Sequence, residues 1–377
     1  MARSIFYYTD SQTFGGAEHA LFMLIETLDR TSWQPTLLLD AADGRPPLAQ
    51  PAGELDVPVR TIAPMPLGFA GSTRVPGLVR MLRRERPDVF HAHLSWPLAA
   101  KYPLMAAVLA RVPAVVATVQ LLPGFELDRP SLLQLRALAA GVGCYIAVSY
   151  DIADQLVERF RWPPEKIEVV HNAVRLQRFA PTDAAALRAR LTGNRQRPVV
   201  LTCARLHAQK GHAVLLRAAA ELPDAVFALA GDGPERAALE AQAAALALGD
   251  RVVFLGHRTD IPALLAACDV FALPSLYEGS SLAVLEAMAA GRAVVSSAIG
   301  GTDELIRDGD SGLLVAPGDA EALAAALRRL FADDELRAAL ARRGRARVER
   351  DFTSDVMSQR VTRIYERLLA DGAQPGA

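Results

Sequence analysis

The sequence predicts an α/β protein built from two doubly wound parallel sheets, on three observations. Short β-branched or aromatic runs alternate with longer segments of helical spacing along the whole chain. Most of these runs are apolar on both alternating positions, which suits strands covered by helices on both faces. The alternation also falls into two series separated by a polar stretch, and two series make two domains. A length of 377 residues fits that number at about 150 residues per domain.

In chain order, the first series places strands at residues 4–9, 35–39, 57–62, 88–91, 114–119, 145–148 and 167–170. Helical spacing falls between them at 17–28 and 76–84. The second series places strands at 199–204, 225–230, 251–255, 270–273, 293–297 and 312–315, with helical spacing at 213–221, 235–247 and 321–331. Between the series, Val170-His171-Asn172-Ala173 closes a strand, and Phe179-Ala180-Pro181-Thr182-Asp183 reads as a loop and helix cap. A polar lead, TGNRQRP at 192–198, then opens the second series. A last helical pattern at 354–369 ends in a polar tail. The expected divisions are residues 1–175, residues 176–355, and a C-terminal helix and tail over 356–377.

Composition narrows the function. Basic and acidic residues nearly cancel, 41 against 42 for a formal net charge of −1, which argues against a protein held on nucleic acid by its overall field. With 51% hydrophobic and 22% charged residues, the chain is not largely disordered. Three cysteines, Cys144, Cys203 and Cys268, sit far apart in apolar runs without metal spacing, and read as buried free thiols in a reducing compartment. MARSIFYYTD lacks the apolar core of a signal peptide, and no apolar run reaches the ~18 residues of a membrane span. A cytoplasmic protein is expected.

Several motifs carry chemistry. Arg205-Leu206-His207-Ala208-Gln209-Lys210-Gly211-His212 directly follows the first strand of the second series. Ligands of doubly wound sheets lie at strand carboxyl ends, where the guanidinium of Arg205 and the ammonium of Lys210 suit a diphosphate. In EGSSLAVLEAMAAG at 278–291, Glu278 should sit on a loop and a helix should begin near Ser280. The free amides of Gly279, Ser280, Ser281 and Leu282 can then meet an anion. Glu286, two turns in, could take a pair of ribose hydroxyls. Two further glycine turns, Phe14-Gly15-Gly16 and Ile299-Gly300-Gly301, each read as running from a strand into a helix. Their repetition in both domains points to a ligand held in a cleft between them.

Together these residues carry a resemblance. GGAEH at 15–19, PDVFHAH at 87–93, HNAV at 171–174, ARLHAQKGH at 204–212 and AGDGPE at 230–235 resemble glycosyltransferase family 4. So does the stretch from FLGHR at 254–258 through 278–291 to GGTDELIRDGDSGLLV at 300–315, and the match runs over nearly the whole chain in the right order. The resemblance implies the GT-B fold, two doubly wound Rossmann-like domains facing a central cleft, with the last helix packing back toward the N-terminal domain. It also implies retaining transfer of a hexose from a nucleotide diphosphate sugar, without metal or other cofactor. The acceptor would be a glycan, a lipid-linked glycan or a small molecule. Arg205 and Lys210 would bind the diphosphate, Glu286 the ribose, and Glu278 would lie beside the transferred sugar. The amides of 279–282 would address sugar hydroxyls, Gly16 the diphosphate, and Arg258 the edge of the base.

One departure stands out. Where the family usually has Thr-x-His beside the donor sugar, this chain has Thr118-Val119-Gln120. Glutamine can hydrogen-bond a sugar hydroxyl but cannot titrate or act as a general base. The departure motivates a second reading, a catalytically weak or inactive homologue that binds a nucleotide sugar or a partner enzyme. His93, paired with His91 on one strand face, reads as a lining of the acceptor side rather than as a metal ligand. Asp308-Gly309-Asp310 reads as a turn, and Gly231-Asp232-Gly233 is no dinucleotide fingerprint. The basic amphipathic stretch at 74–86 suits a crossover helix, with contact at the inner membrane face as its alternative.

Overall fold

The computed structural model describes residues 2–11, 15–41, 48–66, 68–122, 128–180 and 182–373. The chain leaves its first unit at Asn172 and returns to it at Ser354. One unit is Met1–Asn172 with Ser354–Ala377, and the other is Ala173–Thr353. The divisions expected at 175 and 355 lie a few residues further on.

In the first unit, β1 (Arg3–Thr9), β2 (Trp33–Asp40), β3 (Val59–Ile62), β4 (Val89–Leu94), β5 (Ala114–Val119), β6 (Cys144–Ala147) and β7 (Ile167–Val169) form a sheet. All pairings are parallel and the order is β3-β2-β1-β4-β5-β6-β7. Every residue of β4 and β5 is buried, including His91, His93 and Thr118, as strands covered on both faces require. Phe90, Ala92 and Leu94 join Val115, Ala117 and Val119 in the core of one face. The opposite face is closed by the helix Ser354–Ala373, whose Met357, Val361, Ile364 and Tyr365 are buried. Tyr365 hydrogen-bonds His91 Nδ1 at 2.6 Å and Tyr7 at 3.1 Å, and sets its ring edge-on to Trp33.

The helix Val75–Glu85 carries the amphipathic stretch. Val75, Leu78, Val79 and Leu82 are buried in the core of this unit, while Arg80, Arg83 and Arg84 are exposed. It is a crossover helix whose apolar face is already covered. Among the described residues, no helix is long and apolar enough to cross a membrane.

In the second unit, β8 (Val199–Cys203), β9 (Val226–Ala230), β10 (Val252–Gly256), β11 (Val270–Leu273), β12 (Ala293–Ser297) and β13 (Leu313–Val315) pair in parallel in the order β10-β9-β8-β11-β12-β13. Alternate residues feed two cores. Val200, Phe227, Val270 and Val295 face one side, and Leu201, Ala228, Phe271 and Val294 the other. The strand order reverses between β1 and β4 in the first sheet and between β8 and β11 in the second. Loops leave such neighbours in opposite directions, so a crevice opens at their carboxyl ends.

One expected helix is absent. The glycine pair at 300–301 leads into turns closed by Thr302 N–H to Ile299 O at 3.0 Å and Ile306 N–H to Thr302 O at 2.9 Å, and no helix precedes β13. The stretch from Thr302 to Ile306 is too short to offset the cost of helix nucleation before the next turn, at Gly309, begins. That turn is Asp308-Gly309-Asp310. Asp308 Oδ1 accepts from Leu314 N–H at 2.9 Å and Asp310 pairs with Arg343 at 2.9 Å, so both carboxylates have protein partners.

Candidate active site

The reversal between β8 and β11 gathers three predicted residues. Arg205 follows β8, Lys210 ends the short 3-10 turn Ala208–Lys210, and Glu278 lies on the loop after β11. Gly211, at φ +67, makes this possible. A Cβ there would meet the Pro274 carbonyl oxygen at 1.8 Å, so the turn after β8 packs directly on the end of β11. Leu276 N–H donates to Gln209 O at 2.7 Å, and Gln209 Nε2 donates to Tyr277 O at 2.9 Å. The two loops are stitched along their length.

Lys210 Nζ lies 2.6 Å from Glu278 Oε1, which also accepts from Ser275 Oγ at 2.8 Å. The carboxylate is nearly buried, with 7% of its side chain exposed, and the lysine retains 22%. Glu278 Oε2 makes no hydrogen bond among the described residues. Arg205 is exposed and its guanidinium likewise has no protein partner there. Its carbonyl accepts at 3.2 Å from Nε2 of His212, a buried ring held neutral because burial pushes its pKa down to about 4. The result is one positioned cation and one free cation at the mouth of a strand reversal.

Beyond Glu278 the helix Leu282–Ala289 begins, two residues later than the start near Ser280 that the sequence suggests, with Ser281 as its N-cap. The amides of Gly279, Ser281 and Leu282 make no backbone hydrogen bonds among the described residues. Glu286 stands on this helix among buried Val284, Leu285, Ala287 and Met288. Burial pushes its carboxyl up to about 7, with Arg178 pulling the other way, and it makes no hydrogen bond among the described residues. A carboxylate accepts from two hydroxyls better than a carboxylic acid does. Nucleoside affinity should therefore rise about tenfold between about pH 6 and about pH 8, and Glu286→Gln should flatten that profile. Calorimetry across the range checks this.

Arg258, on the loop after β10, is held by Asp260, its Nε donating to Oδ1 at 2.8 Å. This carboxylate raises the arginine's pKa and fixes the plane of the guanidinium. A base contact would use the remaining N–H edge.

The other candidates lie in the first unit. Gly16 is the first residue of the helix Gly16–Thr27, and Glu18 reaches back to accept from Gly15 N–H at 2.9 Å. Phe14 falls outside the described residues. Gln120 immediately follows β5, and its Oε1 accepts from Asn172 Nδ2 at 3.0 Å. His93 is 4% exposed, its ring 4.6 Å from that of His91 and without a hydrogen bond at either nitrogen. Burial lowers its pKa to about 3, so it is neutral. His93, Gln120, Asn172 and Thr118 line a cavity of about 10 Å³, the size of one water. Among the described residues, no group of three or more His, Cys, Asp or Glu side chains is placed to hold a metal.

Sequence reasoning passed over Ser275, Gln209 and His212, which position the charged pair, and Asn172, which holds Gln120. Both His212 and Asn172 stand inside quoted motifs. Their neighbours across the fold, invisible in sequence, define what they do.

Two doubly wound units, one with cations and helix amides gathered at its strand reversal, form a GT-B protein. Residues 14–178 match the model of Glycosyltransferase Family 4 and residues 183–347 that of Glycosyl transferases group 1. A D-inositol 3-phosphate glycosyltransferase of Salinispora tropica is 33% identical over 357 residues, covering 84% of this chain and 73% of the relative. The lipopolysaccharide core biosynthesis glycosyltransferase LpsE of Rhizobium meliloti is 32% identical over 295 residues, covering 77% and 78%. Among solved structures, Anabaena Alr3699/HepE in complex with UDP superposes with a TM-score of 0.85 at 26% identity, over 97% of this chain and 100% of that one. The chain belongs to the glycosyltransferases of family 4, and it is a glycosyltransferase.

Proposed function

We propose that the chain is a retaining, metal-independent hexosyltransferase using a nucleoside diphosphate sugar. Its acceptor is a hydroxyl of a glycan, a lipid-linked glycan or a small molecule. The observation that carries this reading is the Lys210–Glu278 pair beside unpaired Arg205 at the β8–β11 reversal. Lys210 has three N–H donors and gives one to Glu278, so the ammonium is held in place with donors left for phosphate. Arg205 adds a planar fork for the same oxygens. Both stabilise charge that grows on the departing diphosphate, which is the role a divalent ion would otherwise fill. Glu278 Oε2 and the amides of Gly279, Ser281 and Leu282 supply acceptor and donors for sugar hydroxyls. Gly16, Arg258 and Glu286 complete the donor contacts in this reading, with Gln120 at the sugar. The structural neighbour that binds UDP supports a nucleoside diphosphate as the donor's carrier.

In the front-face substitution that the family resemblance implies, the bond to the leaving phosphate breaks as the new bond forms on the same face, and that phosphate would take the acceptor's proton. The test is release of nucleoside diphosphate from a panel of nucleotide sugars, with and without acceptors, in excess chelator. Turnover should persist in chelator. Complete loss, restored only by magnesium or manganese, would overturn the metal-independent step. Donor binding without turnover on any acceptor would favour the inactive-homologue reading that Gln120 motivates.

A further inference from the structure

We infer that the Gly231-Asp232-Gly233 turn is a positioning device for Arg205, gripping the backbone on either side of it so that the guanidinium is placed without a side-chain partner. This rests on the reading above in which Arg205 meets the donor diphosphate. The two cations of the site are held in different ways. Lys210 is fixed by its own head group, through Glu278 at 2.6 Å. Arg205 is exposed and its guanidinium has no protein partner among the described residues, so whatever aims it must act on its backbone. A long side chain on a loose loop would lose much of its binding to the cost of ordering it.

The turn supplies that hold. β8 ends at Cys203 and β9 at Ala230, yet their hydrogen bonding runs on past both ends. Ala204 N–H donates to Ala230 O at 3.0 Å, Leu206 N–H to Asp232 O at 2.9 Å, and Glu235 N–H to Leu206 O at 3.0 Å. The peptide unit between Arg205 and Leu206 is gripped at both ends, because its C=O points away from its N–H. Arg205 O accepts from His207 N–H at 2.8 Å and from His212 Nε2 at 3.2 Å. The packing is backbone on backbone. A Cβ on Gly231 would lie 1.9 Å from Ala204 O and 3.6 Å from Arg205 N, and one on Gly233 would lie 2.4 Å from Leu206 O. Gly231 is itself anchored, its N–H donating to Gly256 O at 2.8 Å. The turn's carboxylate is kept occupied. Asp232 Oδ1 accepts from Gly233 N–H at 2.8 Å, and Oδ2 lies 3.5 Å from Arg236 Nη1, so Arg205 is left free for an anion.

Gly231→Ala pushes on the peptide between Ala204 and Arg205, and should weaken binding of UDP about tenfold. If the turn acts only through Arg205, the same substitution in an Arg205→Ala background should cost no more than about twofold. In a Lys210→Ala background it should still cost at least about fivefold. A general loosening of the fold would lower affinity alike in all three. His212→Leu removes the grip on the Arg205 carbonyl and should follow the same pattern. His212→Gln, whose amide can donate to the same oxygen, should restore binding.

Calorimetry on the purified full chain reads these affinities, with UDP as the probe, or GDP or ADP where the wild type binds that one more tightly. Wild-type affinity in Gly231→Ala beside a weakened Arg205→Ala would overturn the inference and leave the diphosphate reading standing. An equal loss from Gly231→Ala in the wild-type and Arg205→Ala backgrounds would overturn it as well, since the turn would then act by another route. Wild-type affinity in Arg205→Ala would take the diphosphate away from this cation, and the inference with it. Should Gly231→Ala fail to fold, Gly233→Ala and His212→Leu carry the same comparison.

Discussion

Lys210→Ala should weaken nucleoside diphosphate binding by roughly ten- to a hundredfold and also lower stability, whereas Arg205→Ala should do only the first. A charge-assisted hydrogen bond to phosphate is worth about 1.5–3 kcal/mol, which sets the affinity loss for either cation. The two side chains differ in what they leave behind. Arg205 is exposed and unpaired among the described residues, so its removal strands nothing. Lys210 is the ion-pair partner of Glu278, whose side chain is 7% exposed and would keep only Ser275 Oγ. Breaking a fully buried pair costs about 3–5 kcal/mol, and the partial exposure of this lysine lowers the expected figure to about 2–3 kcal/mol. Combining Lys210→Met with Glu278→Gln should recover most of the melting temperature and none of the binding. Wild-type affinity in both single variants would remove the diphosphate from this loop.

Gly301→Ala should lower transfer on the order of a hundredfold and unsettle the proposed donor site from a distance in sequence. At φ +80 the backbone of Gly301 sits where side-chain-bearing residues are strained, and an added Cβ would lie 1.9 Å from the Gly279 carbonyl oxygen. Neither group is the flexible end of a side chain, so one loop must move. Gly279 carries the first of the amides that precede the helix Leu282–Ala289, and a shift of about 1 Å there can cost on the order of a hundredfold in rate. Gly309→Ala is the control. It too has positive φ, +70, but its Cβ would meet nothing within 4 Å, so it should cost stability through backbone strain alone and leave transfer largely intact. Equal turnover in Gly301→Ala and wild type would show that the 299–305 turn does not brace the site.

Much of the fold was legible because buried parallel strands are continuous apolar runs. β5, β11 and β12 have the very bounds that their patterns suggest. The missing helix after Gly301 shows where the pattern is silent. Glycine turns into helices and glycine turns into further turns look alike until the length available before the next turn is weighed. In the site, residue types and their strand-end positions announced Arg205, Lys210 and Glu278. The ion pair between Lys210 and Glu278 was not legible, since it depends on Gly211 packing against Pro274 across the sheet reversal. Asn172 was quoted as part of a motif, yet its partner stands 52 positions away in sequence. Spacing reports neighbours along a helix or strand and is silent about those.

The interrupted make-up of the first unit has a consequence for how the protein comes into being. Residues 173–353 are contiguous, so everything the second unit needs has left the ribosome while the first still lacks its closing helix. Until Ser354–Ala373 emerges, His91 has no Tyr365 to bond and the part of the sheet at β5 that this helix packs on is open to water. The N-terminal half of the nascent chain must therefore wait, with an apolar sheet face exposed, for the last stretch to be translated. Stalled or prematurely ended synthesis in that window would release a finished second unit tethered to a sticky, incomplete partner, the species a chaperone would be expected to hold.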